Sequence, residues 1–159
     1  MIGRLPLVLL AMSAGALAQD VNPVRWSFSD HDVKATPGVP LTLHVTAEIE
    51  PGWHLYGMKK IEDGPIPTTL VLDQGQAFEA AGPIHASPPV STEDPNYGIK
   101  VDYYIGRAHF DLPLRAVNGH KPGLDALKVT ARYQMCNDHM CLTPKKVTIT
   151  LPVEIQGAH

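Results

Sequence analysis

Apolar and polar residues alternate with a period of two through much of this chain, and this alternation constrains the fold more than any other feature. A β-strand points successive side chains to opposite faces, so the pattern is typical of strands with one face in a core and the other in water. Five segments show it, and their predicted inward positions are Val24, Trp26 and Phe28; Leu41, Leu43, Val45, Ala47 and Ile49; Ala108, Phe110, Leu112 and Leu114; Leu127, Val129, Ala131, Tyr133 and Met135; and Val147, Ile149, Leu151, Val153 and Ile155.

Turn signals such as TPGVP, EPGW, EDGPIP and NGHKPG separate these segments. The 15 prolines and 13 glycines leave no clean helical window. Short strands at this spacing predict an all-β fold, an immunoglobulin-like antiparallel β-sandwich, with a small barrel as the alternative. Residues 82–102, GPIHASPPVSTEDPNYGIKVD, are the least regular part, and we expect them to form a long polar loop.

The first residues have the pattern of an export signal. One positive charge at Arg4 precedes the apolar run LPLVLLAMSAGALA, which ends in an A-x-A cleavage pattern at residues 16–18. The run is shorter than the roughly 20 residues that span a bilayer. We therefore expect residues 1–18 to be a cleavable signal peptide and residues 19–159 a single domain. The predicted location is periplasmic or otherwise exported, with no membrane span after cleavage.

The charge balance argues against nucleic acid as a partner. The chain has 13 Lys and Arg against 16 Asp and Glu, a net charge of −3, and removing the signal peptide takes away one of the basic residues. No basic cluster is present that could neutralise phosphates or hold an anionic membrane. No Ser-His-Asp arrangement, paired catalytic carboxylates or phosphate loop is recognisable, so a hydrolase is not predicted.

Both cysteines of the chain lie in RYQMCNDHMCLTP, residues 132–144, with four residues between Cys136 and Cys141. Disulfides persist in exported proteins. A hairpin loop of four residues would set the two cysteines opposite each other, about 4.5–5.5 Å apart at Cα, which suits a disulfide. A closed loop this short stabilises a fold by only about 2 kcal/mol, which weakens a purely structural role without excluding it.

The same segment offers soft metal ligands, because His139 and Met140 lie between the cysteines. Thiolate, imidazole and thioether ligands suit Cu(I), and the first two also suit zinc. One short segment rarely supplies a closed site. The residues alone leave three interpretations open: a working dithiol, a structural disulfide in a non-enzymatic binding module, and a Cu(I)-handling site built from Cys136, His139, Met140 and Cys141.

Four stretches together resemble a known family. EPGWHLYG, STEDPNYGIKVDYYIGRAHFDLPL, KVTARYQMC and CLTPKKVTITLPVEI are similar, in this order, to parts of the N-terminal periplasmic domain of the thiol:disulfide interchange protein DsbD. The resemblance covers nearly all of the expected mature chain, and its most specific element is Tyr-Gln-x-Cys followed by Cys-x-x-Pro. It implies an immunoglobulin-like fold with the cysteine pair, joined as a disulfide, on a hairpin at one end.

The resemblance also implies a function. A thioredoxin-like donor would reduce the cysteine pair, which would then reduce periplasmic clients such as disulfide isomerases and cytochrome c maturation thioredoxins. Cys141 would form the mixed disulfide and Cys136 would resolve it, in a thiol–disulfide oxidoreductase of the protein-disulfide reductase type that needs no cofactor. Because the chain lacks the membrane electron conduit of full-length DsbD, we expect a separate conduit as a further partner.

Four more residues match positions around the family's site. His54 and Tyr56 match aromatic positions beside the cysteines, and Asp94 and Tyr97 fall in the loop that shields them. The chain departs from the family's best-known members in its shorter cysteine loop. It also has Asn96 where they have a capping phenylalanine, and Tyr97 is an alternative cap. With no helix N-terminus near the thiols, we predict a near-ordinary thiol pKa and a passive role in exchange.

Overall fold

The computed structural model describes residues 21–157, so the predicted signal peptide lies outside the described residues. Within this range the chain forms strands and no helix, and thus no helix long and apolar enough to cross a membrane. The strands are β1 (Val24–Phe28), β2 (Val33–Ala35), β3 (Pro40–Ile49), β4 (His54–Tyr56), β5 (Thr69–Leu72), β6 (Phe78–Ala80), β7 (His85–Ala86), β8 (Val90–Asp94), β9 (Ile99–Tyr104), β10 (Arg107–Ala116), β11 (Gly123–Tyr133), β12 (Met135–Cys136) and β13 (Lys145–Ile155).

Two sheets form the body of the domain. One has the order β1-β3-β10-β6, with β7 also paired to β10, and the other has the order β2-β13-β11-β5. The pairs are antiparallel, apart from the short edge strand β2, which runs parallel to β13. This arrangement confirms the predicted all-β, immunoglobulin-like sandwich.

The five alternating segments form the long strands and build the core. Trp26 of the first sheet lies 5.6 Å from Phe110 of the same sheet and 5.4 Å from Tyr133 of the second, measured between ring centroids. The two apolar faces therefore meet in one core, as strand alternation requires. Four predicted core positions, Phe28, Leu41, Val147 and Ile149, are only partly buried and pack against the margin of the core.

The prediction of a long irregular loop at residues 82–102 was wrong. This segment contains β7 and β8 and most of β9, and β8 and β9 form an antiparallel hairpin. Apolar alternation does not mark β8 because only its last residue, Asp94, is buried. The hairpin closes through residues 95–98, a segment we call the cap turn, in which Gly98 has a φ of 64° that favours glycine.

A third sheet, in the order β12-β4-β9-β8, carries the cysteines. The chain leaves β11 after Tyr133, and β12 then pairs with β4 so that Met135 lies opposite Leu55 and Cys136 opposite His54. The alternation predicted one strand running through Met135, whereas the chain changes sheets at Gln134. This change moves the cysteine pair out of the sandwich and onto the small sheet that also holds β8 and β9.

Candidate redox site

The cysteines form a disulfide at the base of a tight hairpin. Cys136 and Cys141 face each other as an antiparallel bridge with a Cα–Cα distance of 4.1 Å, which confirms the expected hairpin and disulfide. Asn137 closes the loop: its N–H donates to the carbonyl of Met140, and its Oδ1 accepts from the N–H groups of His139 and Met140, all at 2.9 Å. Asparagine suits this position because its short side chain bonds nearby backbone groups.

The two sulfur-bearing residues differ in exposure. Cys136 is fully buried in a small cluster with Tyr56 and Val101, whereas Cys141 is partly exposed at the edge of that cluster. Of the two cysteines, only Cys141 is therefore partly exposed to solvent.

Tyr56, the last residue of β4, connects the disulfide to a buried carboxylate. Its hydroxyl donates a hydrogen bond of 2.8 Å to Oδ2 of Asp94 and lies 4.0 Å from Sγ of Cys141. The hydroxyl of Thr68 donates to the Tyr56 carbonyl at 2.6 Å and fixes this residue. Burial, together with the hydrogen bond to Asp94, raises the pKa of Tyr56 well above its ordinary value, so the phenol keeps its proton.

Asp94 ends β8 and is completely buried. Its Oδ1 accepts hydrogen bonds from the backbone N–H groups of Asn96 at 2.8 Å and Tyr97 at 3.2 Å, while its Oδ2 accepts from Tyr56. A carboxylate is tolerated inside a protein when its lone pairs are satisfied in this way. One side chain thus caps the turn after β8 and also orients the tyrosine beside the disulfide.

His54 is buried next to this carboxylate. Its Nε2 lies 3.4 Å from Oδ2 of Asp94 but has no hydrogen-bond partner within residues 21–157. Its ring packs on Tyr103 at 4.6 Å and meets the Tyr56 ring edge-on at 5.2 Å. Burial lowers the pKa of His54, and the opposing effects of Asp94 and Asp138 do not restore it, so the imidazole is neutral near pH 7.

The cap turn lies against the cysteine hairpin. The Tyr97 ring meets Tyr56 edge-on at 5.9 Å and packs against the cluster that holds the cysteines. The side chain of Asn96 donates a 3.0 Å hydrogen bond from Nδ2 to the carbonyl of Asn137, inside the cysteine loop. The structure thus brings His54, Tyr56, Asp94 and Tyr97, the four positions singled out beside the cysteines, into one cluster.

Sequence reasoning missed two residues of this site. Alternation places Gln134 outward, yet it is buried, and its Oε1 accepts from the N–H of Ile66 at 2.9 Å and from the Tyr97 hydroxyl at 3.4 Å. The signals for it were its place in the Tyr-Gln-x-Cys element and a polar residue directly before the Met-Cys pair. Tyr103 was one aromatic among several, and its contact with His54 depends on the pairing of β4 with β9.

The alternative metal ligands are placed differently. His139 and Met140 are exposed on the loop, Met140 with 52% of its surface accessible. Across residues 21–157 no three His, Cys, Asp or Glu side chains gather into a group that could hold a metal ion. The Cu(I) hypothesis therefore gains no support from the arrangement of these residues and stays a prediction.

The fold and the site together define a class of protein: an immunoglobulin-like sandwich domain with a half-enclosed disulfide on an end hairpin. The sequence profile of the N-terminal domain of the thiol:disulfide interchange protein DsbD matches residues 27–152. The chain belongs to this family, whose members are periplasmic domains, and the resemblance found in the sequence is confirmed. Family membership and the disulfide fit thiol–disulfide exchange.

Solved structures offer only distant likenesses, and no curated protein sequence matches the chain. A family 123 glycoside hydrolase from Clostridium perfringens has a TM-score of 0.43 and 9% identity over 86% of this chain, which spans only 28% of the hydrolase. AggA, the major subunit of aggregative adherence fimbriae type I from Escherichia coli, has a TM-score of 0.35 and 12% identity, covering 84% of this chain and 95% of AggA. AvmM, which catalyses macrocyclization in alchivemycin A biosynthesis, has a TM-score of 0.33 and 9% identity, covering 86% of this chain and 91% of AvmM.

We expect the buried His54 to make the oxidised protein less stable in acid. Because burial lowers its folded pKa, the unfolded chain binds a proton below about pH 6.5 that the folded chain does not bind. Its contribution to the free energy of unfolding should therefore fall as the pH drops from about 7 toward the folded pKa. Urea titrations at several pH values should show that His54→Phe removes this part of the acid sensitivity.

The exposed His44 provides a control of opposite sign. Its hydrogen bond to Asp30 raises its pKa, so its contribution to stability is present below about pH 6.5 and is lost as the pH rises through the folded value. His44→Gln should therefore remove stability at low pH and not at high pH. An unchanged pH profile in His54→Phe would contradict the picture of a buried neutral imidazole.

Proposed function

We propose that this chain is a periplasmic thiol–disulfide exchange domain that passes reducing equivalents from a thioredoxin-like donor to exported client proteins. The observation that carries the proposal is the unequal exposure of the disulfide, with Cys136 buried and Cys141 partly exposed. A structural disulfide needs no open sulfur, whereas exchange needs one sulfur that a partner can attack and a second that is kept for resolution. Membership of a family of periplasmic domains supports the location.

The exchange proceeds in two displacement steps. A donor thiolate attacks Sγ of Cys141, the Cys136–Cys141 bond breaks, and Cys136 leaves with the electron pair and takes up a proton. The second donor thiol, losing its proton, then attacks the donor sulfur of the mixed disulfide and releases Cys141. The donor is oxidised from dithiol to disulfide, and this domain gains two electrons and two protons. With a client, the same steps run in reverse from Cys141.

The surroundings of the sulfurs support a passive role for this domain, in which the partner's cysteine and not Cys136 or Cys141 is the attacking thiolate. Tyr56 directs its proton to Asp94, so its oxygen is free to accept a hydrogen bond from a Cys141 thiol. Apolar burial of Cys136 and the nearby carboxylate of Asp94 both disfavour a thiolate. The partner with the more acidic cysteine therefore supplies the attacking sulfur, and relative reduction potentials set the direction of flow.

The cap turn would act as a shield over the disulfide. Tyr97 packs on Tyr56 of β4, and Asn96 donates a hydrogen bond to the carbonyl of Asn137, so the turn is held to β4 and to the cysteine hairpin by one contact each. Asn96 takes the place of the family's capping phenylalanine and replaces an apolar cover by a hydrogen bond. Small thiols would be held off while the turn is closed, and a docked partner would displace it.

A redox titration of the protein, read by alkylation and mass, tests the proposed function. We expect a midpoint between about −180 and −270 mV, the range of pairs that exchange with thioredoxin-like proteins. A midpoint below about −300 mV would indicate a structural bond and favour the binding-module alternative. Tight Cu(I) binding by the reduced protein, lost in His139→Ala, would instead favour the copper hypothesis.

Single cysteine variants test which sulfur reacts. Cys136→Ser leaves the accessible Cys141, and it should accumulate a mixed disulfide with an oxidised thioredoxin-like protein. Cys141→Ser leaves only the enclosed Cys136 and should trap at least about tenfold less in the same time, because burial limits attack. The amounts trapped can be compared by non-reducing electrophoresis. Equal trapping would contradict the assignment of Cys141 as the exchanging sulfur.

Loosening the shield should speed reduction by glutathione. Tyr97→Ala removes an edge-on aromatic contact worth about 0.5–1.5 kcal/mol, so the rate should rise between about twofold and about tenfold. Thr92→Ala, at an exposed position of β8, is the control and should leave the rate unchanged. An unchanged rate in Tyr97→Ala, measured by thiol release, would remove the shield from the mechanism.

A further inference from the structure

A cleft of about 620 Å³ opens beside the disulfide hairpin. Its walls come from the turn between β3 and β4 at residues 50–53, the turn between β9 and β10 at residues 105–106, and the cysteine loop, which contributes Asp138. This volume lies in the range of sites that bind small molecules or short peptide segments. The cap turn and Cys141 do not line it, so it is a surface separate from the proposed shield.

The floor of the cleft is apolar and aromatic. Trp53 and Tyr103 line it and are each only partly buried, and Ile105 beside them leaves 58% of its surface accessible. Ile105 stands in a tight turn, in which its carbonyl accepts from the N–H of Arg107 at 2.7 Å and Gly106 has a φ of 66°. Aromatic side chains next to an exposed aliphatic one are typical of the centre of a protein–protein contact.

The rim of the cleft is acidic. Glu50 and Asp138 are both exposed and line it, with no lysine or arginine among the lining residues. Neither carboxylate forms an ion pair within residues 21–157. Arg25, which lines a neighbouring pocket with Glu50, and Arg107, which follows the turn at residues 105–106, both place their guanidinium groups on Glu48. The cleft therefore presents a negative field to an approaching molecule.

We propose that this cleft binds one segment of the thiol-bearing protein partner. In that segment an apolar side chain is followed or preceded by lysine or arginine. The apolar side chain packs on Trp53 and Ile105, and the cation lies between Glu50 and Asp138. The proposal rests on the proposed function and names a feature of the partner that this function leaves open: a basic, apolar segment near its reactive cysteine.

The cleft adjoins the loop that carries the disulfide. Asp138 belongs to the loop that joins the two cysteines, and His54, which lines the cleft, pairs with Cys136 between β4 and β12. A partner whose cysteine engages Cys141 therefore brings its neighbouring residues to the rim. Opposite charges there raise the rate of productive encounter more than they change the final affinity, and salt screens them.

Two cysteine peptides test the proposal through the rate at which they reduce the oxidised protein. One carries a leucine and two arginines beside its cysteine, and the other has glutamates in place of the arginines. At about 20 mM salt the basic peptide should react at least about tenfold faster, and the advantage should shrink at about 200 mM salt. Dividing each peptide's rate by its rate with a small neutral disulfide at the same salt removes differences in the reactivity of the peptide thiols, and dividing by the rate of dithiothreitol removes differences between protein variants.

Variants of the cleft residues test whether the difference in rate between the two peptides arises at the cleft. Glu50→Gln combined with Asp138→Asn should bring the basic and acidic peptides to within about twofold of each other. Ile105→Ser should slow both peptides, because each carries the leucine. The controls are Glu154→Gln and Leu124→Ser, an exposed acid and an exposed apolar residue away from the cleft, and neither should change the ratio of the two rates.

The outcomes separate the two proposals. If dithiothreitol and both peptides reduce the protein and the two peptides react equally at low salt, the docking proposal is overturned while exchange stands. If no thiol reduces the disulfide in the exchange range of potential, the proposed function fails. Docking is then decided by NMR titration of cysteine-free peptides into the double variant Cys136→Ser with Cys141→Ser. Shifts of the Trp53 indole and Ile105 methyl signals with the basic peptide alone would support it, and equal or absent shifts would overturn it.

Discussion

The candidate site depends on one buried carboxylate. Asp94 is completely enclosed, and a charge in that position would cost several kcal/mol without partners. Two backbone N–H groups of the cap turn and the Tyr56 hydroxyl supply three hydrogen bonds, each worth about 1.5–3 kcal/mol to a charged group. This interaction explains how β8, which is otherwise exposed, is held in place without an apolar face of its own.

Burial and this carboxylate together set the protonation states around the disulfide. Burial and the hydrogen bond to Asp94 both raise the pKa of Tyr56, which keeps its proton, and His54 stays neutral because burial outweighs the attraction of the carboxylate. The cluster therefore contains one negative charge among neutral groups. In the proposed exchange such an environment would favour a thiol over a thiolate, so the partner would supply the attacking sulfur.

The sequence predicted the parts of the structure that depend on local pattern. The long strands β1, β3, β10, β11 and β13 have one face in a core, which alternation detects, and the cysteine hairpin follows from a loop of four residues. Alternation failed at β8 because this strand has no apolar face of its own and is held by its pairing with β9 and by the hydrogen bonds of Asp94. It failed at Gln134 because the chain changes sheets there, and the bond from Asn96 to Asn137 joins residues 41 positions apart.

In the proposed mechanism, two neighbouring residues of the cysteine loop have different tasks: one holds the cap turn over the disulfide, and the other helps to bind the partner. Asn137 offers its carbonyl to the cap turn, whereas Asp138 lines the acidic cleft, and both lie between the two cysteines. Because the charges at the cleft rim act at long range and are screened by salt, they would affect the rate at which a partner encounters the domain. Asp94 and Tyr56 act by direct contact near the sulfur and would affect the rate of the exchange step itself, after the partner has bound. In the proposed mechanism, a partner that seats its basic segment in the cleft lies next to the cysteine loop, and displacing the cap turn would then give it access to Cys141.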